Sequence, residues 1–91
     1  MKPENEFGVA LGKVLRAVRL QKRLTLGQIY NIYKIPHTTI GNWENNRTSP
    51  NFESLYKLAS VYGVRVSFII SMAENELKRN KLDDSDAKKG S

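Results

Sequence analysis

The sequence predicts an all-α protein, a compact bundle of five helices with an extended C-terminal helix and a short disordered tail. Three observations lead there. Apolar residues recur at intervals of three and four, the period of one helix face. Capping residues and prolines stand where those stripes break. No strand pattern competes: Val64 to Ile70 is rich in β-branched residues, but a lone strand there would have no partner, whereas a helix continues the stripe beyond it. Ninety-one residues allow one domain with one modest core, and an apolar share of 40% is enough to fill it.

The first helix is expected over about 6–21. Phe7, Leu11, Val14, Leu15 and Val18 form its apolar face, with Lys13 and Arg16 on the other side. The second is expected over 26–33. Thr25 fits its N-cap, and Gln28, three residues later, can return a bond to the cap amide. Leu24 and Ile29 occupy the two positions of a hydrophobic staple. Pro36 ends this helix, because it disfavours the helical conformation at Ile35.

Pro36 is also tolerated at the start of a third helix carrying His37 to Glu44. Ile40 and Trp43 share its inner side; the spacing makes Trp43 a core residue rather than a stacking platform. Asn45 and Asn46 tolerate the left-handed conformation that ends helices. Asn51 can cap a fourth helix, with Phe52, Leu55, Tyr56, Leu58, Ala59 and Tyr62 as buried candidates and Gly63 at its end. A fifth helix is expected from Val64 to about Asn80. The folded domain would then be 1–81, and 82–91, nearly devoid of apolar residues, a disordered tail.

Composition excludes several functions. With no cysteine, disulfide frameworks, thiol catalysis and cysteine zinc sites are out. One histidine, His37, falls short of most transition-metal sites, so no metal and no cofactor are expected. The acids nearest His37 in sequence, Glu44 and Glu53, are placed for tasks other than orienting it, which leaves an enzyme as the least favoured class. No apolar run is long enough to span a membrane and no signal peptide precedes the first helix, so the cytoplasm is the expected compartment.

Charge supplies the first positive clue. The net charge is +6, and between Gly8 and Arg65 nine bases face only two acids, Glu44 and Glu53. Such an excess attracts polyanions, of which nucleic acid is the commonest. Two short helices separated by Lys34-Ile35-Pro36 have the spacing of a helix-turn-helix. In that motif the second helix enters the DNA major groove, its first residues on base edges. The outward residues here, His37, Thr38 and Asn42, are short and polar. Asn can bond adenine twice, and Thr can meet a base edge or a thymine methyl. Thr39 flanks them. His37 is expected to touch a base or a phosphate, or else to be a solvated cap residue.

Residues 11–70 resemble the helix-turn-helix domain of phage repressors and Cro proteins, the Xre-like class. The resemblance lies in Leu11-Gly12-Lys13-Val14-Leu15-Arg16, Arg19, Leu24-Thr25, Ile29, Ile35, Ile40, Trp43-Glu44, Pro50, Leu55-Tyr56-Lys57-Leu58-Ala59 and Gly63-Val64. It implies the λ-repressor-like arrangement of the five helices. It also implies an ion pair between Arg19, late in the first helix, and Glu44, at the end of the recognition helix. It places base contacts on His37, Thr38 and Asn42. Asn45 and Arg47 fall on its phosphate-contacting positions, with Thr25, Lys34, Thr39 and Arg16 as further phosphate candidates.

The chain also departs from the family pattern. Leu26 replaces a phosphate-binding Gln. Tyr30 replaces a small residue between the two helices, which calls for extra room or a changed helix angle. Lys34 replaces the turn glycine, which calls for a positive φ or a different turn. Pro36 replaces the cap serine.

The stripe Val66, Ile70, Ala73 and Leu77 is longer than this core needs, and about 66–80 is therefore expected to form the seam of a homodimer on two DNA half-sites. The resulting expectation is a repressor of double-stranded DNA with a near-palindromic operator, open to regulation by a protein partner. The alternatives are an antitoxin or restriction-modification controller of the same fold and, from another class, a protein-interaction adaptor. The adaptor would need an apolar patch on the third helix.

Overall fold

Five α-helices follow one another in the computed structural model, which describes residues 6–90, with side chains for residues 6–80. They are α1 (Glu6–Gln21), α2 (Leu26–Tyr33), α3 (His37–Glu44), α4 (Phe52–Tyr62) and α5 (Val66–Gly90). No strand occurs among the described residues. The backbone of α5 continues through the segment from 82 onward where a disordered tail is expected; the side chains of that segment lie outside the described residues, as do residues 1–5.

Local chemistry accounts for the boundaries. Thr25 Oγ accepts the Gln28 N–H at 3.0 Å while Gln28 Oε1 accepts the Thr25 N–H at 2.8 Å, closing the capping box. Asn51 Oδ1 accepts the Ser54 N–H at 2.7 Å and starts α4. Gly63, at φ 71°, stops it. The Val64 N–H then donates back to Ala59 O at 3.0 Å. Val64 is thus spent on ending α4, and α5 begins at Val66, two residues later than the expected start at Val64. The two helices meet at 102°.

The core draws on every helix. Leu15, Ile29, Ile40, Leu58 and Ile69 are its largest fully buried side chains. α1 packs against both α3 and α5, α2 against α3, and α4 against α5. Leu24 and Leu26 pack partly against this core, so Leu26 serves packing where the family has a phosphate-binding Gln.

Two expected core residues of α4 face solvent instead. Phe52 and Tyr56 are 69% and 59% exposed and stack on each other at 6.5 Å. Leu55, Leu58, Ala59 and Tyr62 already fill the inward stripe, and Phe52 and Tyr56 lie to one side of it. The α5 stripe is divided in its surroundings. Ala73 is fully buried in its own chain, and Val66 and Ile70 pack partly on the same core. Leu77 is half-buried, while Phe68 and Met72 are the exposed apolar side chains of this helix.

Candidate nucleic-acid interface

The turn between α2 and α3 presents the candidate site. Lys34 ends α2 in the left-handed conformation, φ 63°, its N–H donating to Tyr30 O at 2.8 Å. A lysine therefore adopts the conformation usual for a turn glycine. Ile35 drops into the core and Pro36 opens α3 with φ −61°. Pro36 has no hydroxyl, and no side chain caps α3. Tyr30 needs no extra room between the helices. Its ring lies 45% exposed at their rim, edge-on to His37 with 5.7 Å between centroids.

The inner face of α3 is fixed in three ways. Ile40 is fully buried. Gly12 lets α1 approach the end of α3 so closely that a Cβ there would lie 2.6 Å from Glu44 O and 2.8 Å from Trp43 O. Those are backbone atoms, so the contact has no cheap relief. Finally, Arg19 Nε donates to Glu44 Oε2 at 2.6 Å and Arg19 Nη2 to Glu44 Oε1 at 3.0 Å. This two-point geometry is the strong form of the pair. Arg19 Nη1 also donates to Leu24 O at 3.0 Å, which ties the α1–α2 turn to the same group. Both side chains are buried. The hydrogen bond to Glu44 raises the Arg19 pKa above its ordinary value. The nearby Tyr62 hydroxyl is buried without a hydrogen-bond partner among the described residues. Burial first, and the Glu44 charge second, push its pKa above the ordinary phenol value of 10.0.

The outer face of α3 is open. His37 and Thr38 are exposed, and Asn42, Thr39 and Gly41 are half-buried. None of the exposed large apolar side chains of the described residues lies on α3, so the patch an adaptor would use there is missing. The Arg47 N–H donates to Asn42 O at 2.8 Å, which places the start of the next loop against the middle of α3. Asn45 Nδ2 donates to Gly41 O at 2.8 Å, and Asn46 takes the left-handed φ of 56° that turns the chain away. Among the phosphate candidates, Thr25, Lys34, Asn45, Arg47 and Arg16 are exposed. Arg16 Nη1 stands 3.9 Å from Glu44 Oε1 at the edge of the buried pair. Thr25 bonds to Gln28 within its own capping box, whereas Tyr30 joins Lys34 to His37.

Electrostatics follow from where the acids sit. Between Gly8 and Phe52 the one acid is Glu44, and it is buried against Arg19. The charged surface contributed by this stretch is therefore basic throughout. No group of three His, Cys, Asp or Glu that could hold a metal occurs among the described residues.

Sequence reasoning missed the positive φ of Arg23, 59°, in the α1–α2 turn, and the cluster around Tyr30. Gly12 fits the family pattern, but its role as the contact point between α1 and α3 depends on the packing of the two helices and has no local signal.

Comparison with known proteins agrees with this geometry. A helix-turn-helix family model matches residues 15–69, more than half of the chain. The HTH-type transcriptional regulators PuuR of Escherichia coli K12 and of Shigella flexneri are each 33% identical over 70 residues, 77% of this chain. The chain spans about 38% of the length of these relatives. Among solved structures, the clp gene regulator ClgR of Corynebacterium glutamicum superposes with a TM-score of 0.83 at 21% identity, covering 90% of this chain and 87% of that one. The DNA-binding domain of BldD from S. venezulae superposes with a TM-score of 0.66 at 29% identity, covering 70% and 96%. The chain belongs to the Xre/Cro-like helix-turn-helix family, a family of DNA-binding transcription regulators.

Proposed function

We propose that this chain binds double-stranded DNA sequence-specifically and regulates transcription, as a cytoplasmic homodimeric repressor that occludes a promoter. The observation that carries the reading is the outer face of α3. Its polar side chains project from a helix locked by its inner face, on a surface whose nearest acid is already neutralised. His37, Thr38 and Asn42 meet base edges. Thr25, Lys34, Thr39, Asn45, Arg47 and Arg16 hold phosphates on either side, setting position without reading sequence. The name of the PuuR relatives supports the regulatory part.

The dimer uses α5. Since Ala73 is taken by its own core, the face offered to a second copy consists of Phe68 and Met72, with Leu77 beyond them. A two-fold dimer places two α3 helices about one DNA turn, roughly 34 Å, apart and selects a near-palindromic operator. Selection of bound sequences from a random duplex pool, repeated at two salt concentrations, tests the whole reading. A motif with two-fold symmetry supports it. Binding without enrichment that vanishes as salt rises leaves only electrostatic attraction and refutes it. Sedimentation at tens of micromolar without DNA tests the dimer, and a monomer mass counts against it.

A further inference from the structure

We infer that Tyr30 is a positioning residue for recognition: its ring holds the His37 side chain at the base edge and Lys34 beside the adjoining phosphate. The inference rests on the DNA-reading role proposed for α3 and adds a determinant that lies on α2. His37 is the first residue of α3. No cap side chain bonds there and its imidazole is exposed. An unrestrained side chain in that place loses rotamer freedom on binding, and whatever fixes it beforehand improves recognition.

Tyr30 supplies the restraint. Its ring meets the imidazole at 88° with centroids 5.7 Å apart, the edge-to-face arrangement that aromatic pairs favour. The Lys34 Nζ stands 5.6 Å from the centroid of the same ring, within cation–π range. The backbone adds a third tie, because Tyr30 O accepts the Lys34 N–H at 2.8 Å. The left-handed φ of Lys34 closes the turn so that the residue after Pro36 returns to the ring. Tyr30 is 45% exposed, so its ring does little to fill the core and can be changed without emptying it.

The test compares Tyr30→Ala, Tyr30→Phe, His37→Ala and the Tyr30→Ala/His37→Ala double variant of the full chain. For each, the base preference at every operator position is measured, along with the thermal melt. The ring, not the hydroxyl, makes the contacts, so Tyr30→Phe keeps the native profile. Tyr30→Ala lowers discrimination by about two- to tenfold at the base pair that His37→Ala also affects. The double variant is no worse there than His37→Ala alone. The ring-current shift of the His37 imidazole protons, measured without DNA, is lost in Tyr30→Ala and kept in Tyr30→Phe. An equal loss on all sequences, or an unchanged profile in Tyr30→Ala, overturns the positioning role while base reading by His37 stands. A silent His37→Ala beside an effective Asn42→Ala overturns both claims about His37. If no α3 variant changes the profile, the DNA-reading role itself fails.

Discussion

The two faces of α3 differ in what holds them. The inner face is packed and charge-paired: Ile40 is fully buried, Glu44 is bonded at two points by Arg19, and Gly12 brings α1 against the backbone of Trp43 and Glu44. The outer face, with His37, Thr38 and Asn42, carries almost no load for the fold. Eight residues are too few for a helix to stand alone in water, so the inner face supplies the order that the outer face uses. With the base-reading role proposed for the outer face, position and specificity fall to different residues of one short helix, and substitutions should separate them.

The largest expected effect is on the inner face. Glu44→Gln leaves the buried Arg19 guanidinium without a counter-charge and costs about 3–5 kcal/mol of folding stability, measured by denaturant unfolding. Gly12→Ala comes next. Alanine favours helices, but here its Cβ meets backbone carbonyls, and the overpacking lowers stability by about 2 kcal/mol net. A stabilising outcome would show that α1 and α3 are not held so close.

On the outer face, Asn42→Ala should cost roughly 1–3 kcal/mol on the preferred DNA site, relax one base position and leave the melt unchanged. Equal loss on all sequences would assign Asn42 to the backbone of the DNA instead. Lys34→Gly relieves a left-handed lysine and should raise stability by about 0.5–1 kcal/mol. The same change removes the phosphate contact proposed for Lys34 and should flatten the salt dependence of binding by about one unit. Stability and affinity then move in opposite directions, as expected where a strained residue serves binding.

The smallest effect concerns Tyr62. Removing its unpartnered buried hydroxyl with Tyr62→Phe should raise stability by up to about 1 kcal/mol at neutral pH. Its pKa is higher in the fold than the ordinary 10.0, so the folded chain holds the phenol proton more tightly than the unfolded chain. That contribution is present in full below the unfolded value and is lost as pH rises above it. Tyr62→Phe should therefore flatten the alkaline fall in stability.

Much of this was legible in the sequence where the controlling physics is local. The capping box of Thr25 and Gln28, the Asn51 cap and the Gly63 stop each depend on residues a few positions apart. Face assignment was harder. α4 carries more apolar residues than its core face can take, and periodicity alone did not show that Phe52 and Tyr56 would stay outside. How much of the α5 stripe its own core takes is likewise a tertiary quantity: Ala73 is fully buried there, while Leu77 is half-buried. Arg19 and Glu44, 25 residues apart, were paired through family resemblance, not spacing. The Tyr30 cluster depends on a turn whose left-handed lysine brings the two aromatic rings together.

The inner face of α3 is expected to set stability and the outer face to set sequence preference. The most direct test measures unfolding free energy and the full base-preference profile side by side for Glu44→Gln and Asn42→Ala. Glu44→Gln should lose stability with its profile intact, whereas Asn42→Ala should change one position of the profile with its stability intact. A changed profile in Glu44→Gln, or an unchanged one in Asn42→Ala, would contradict it.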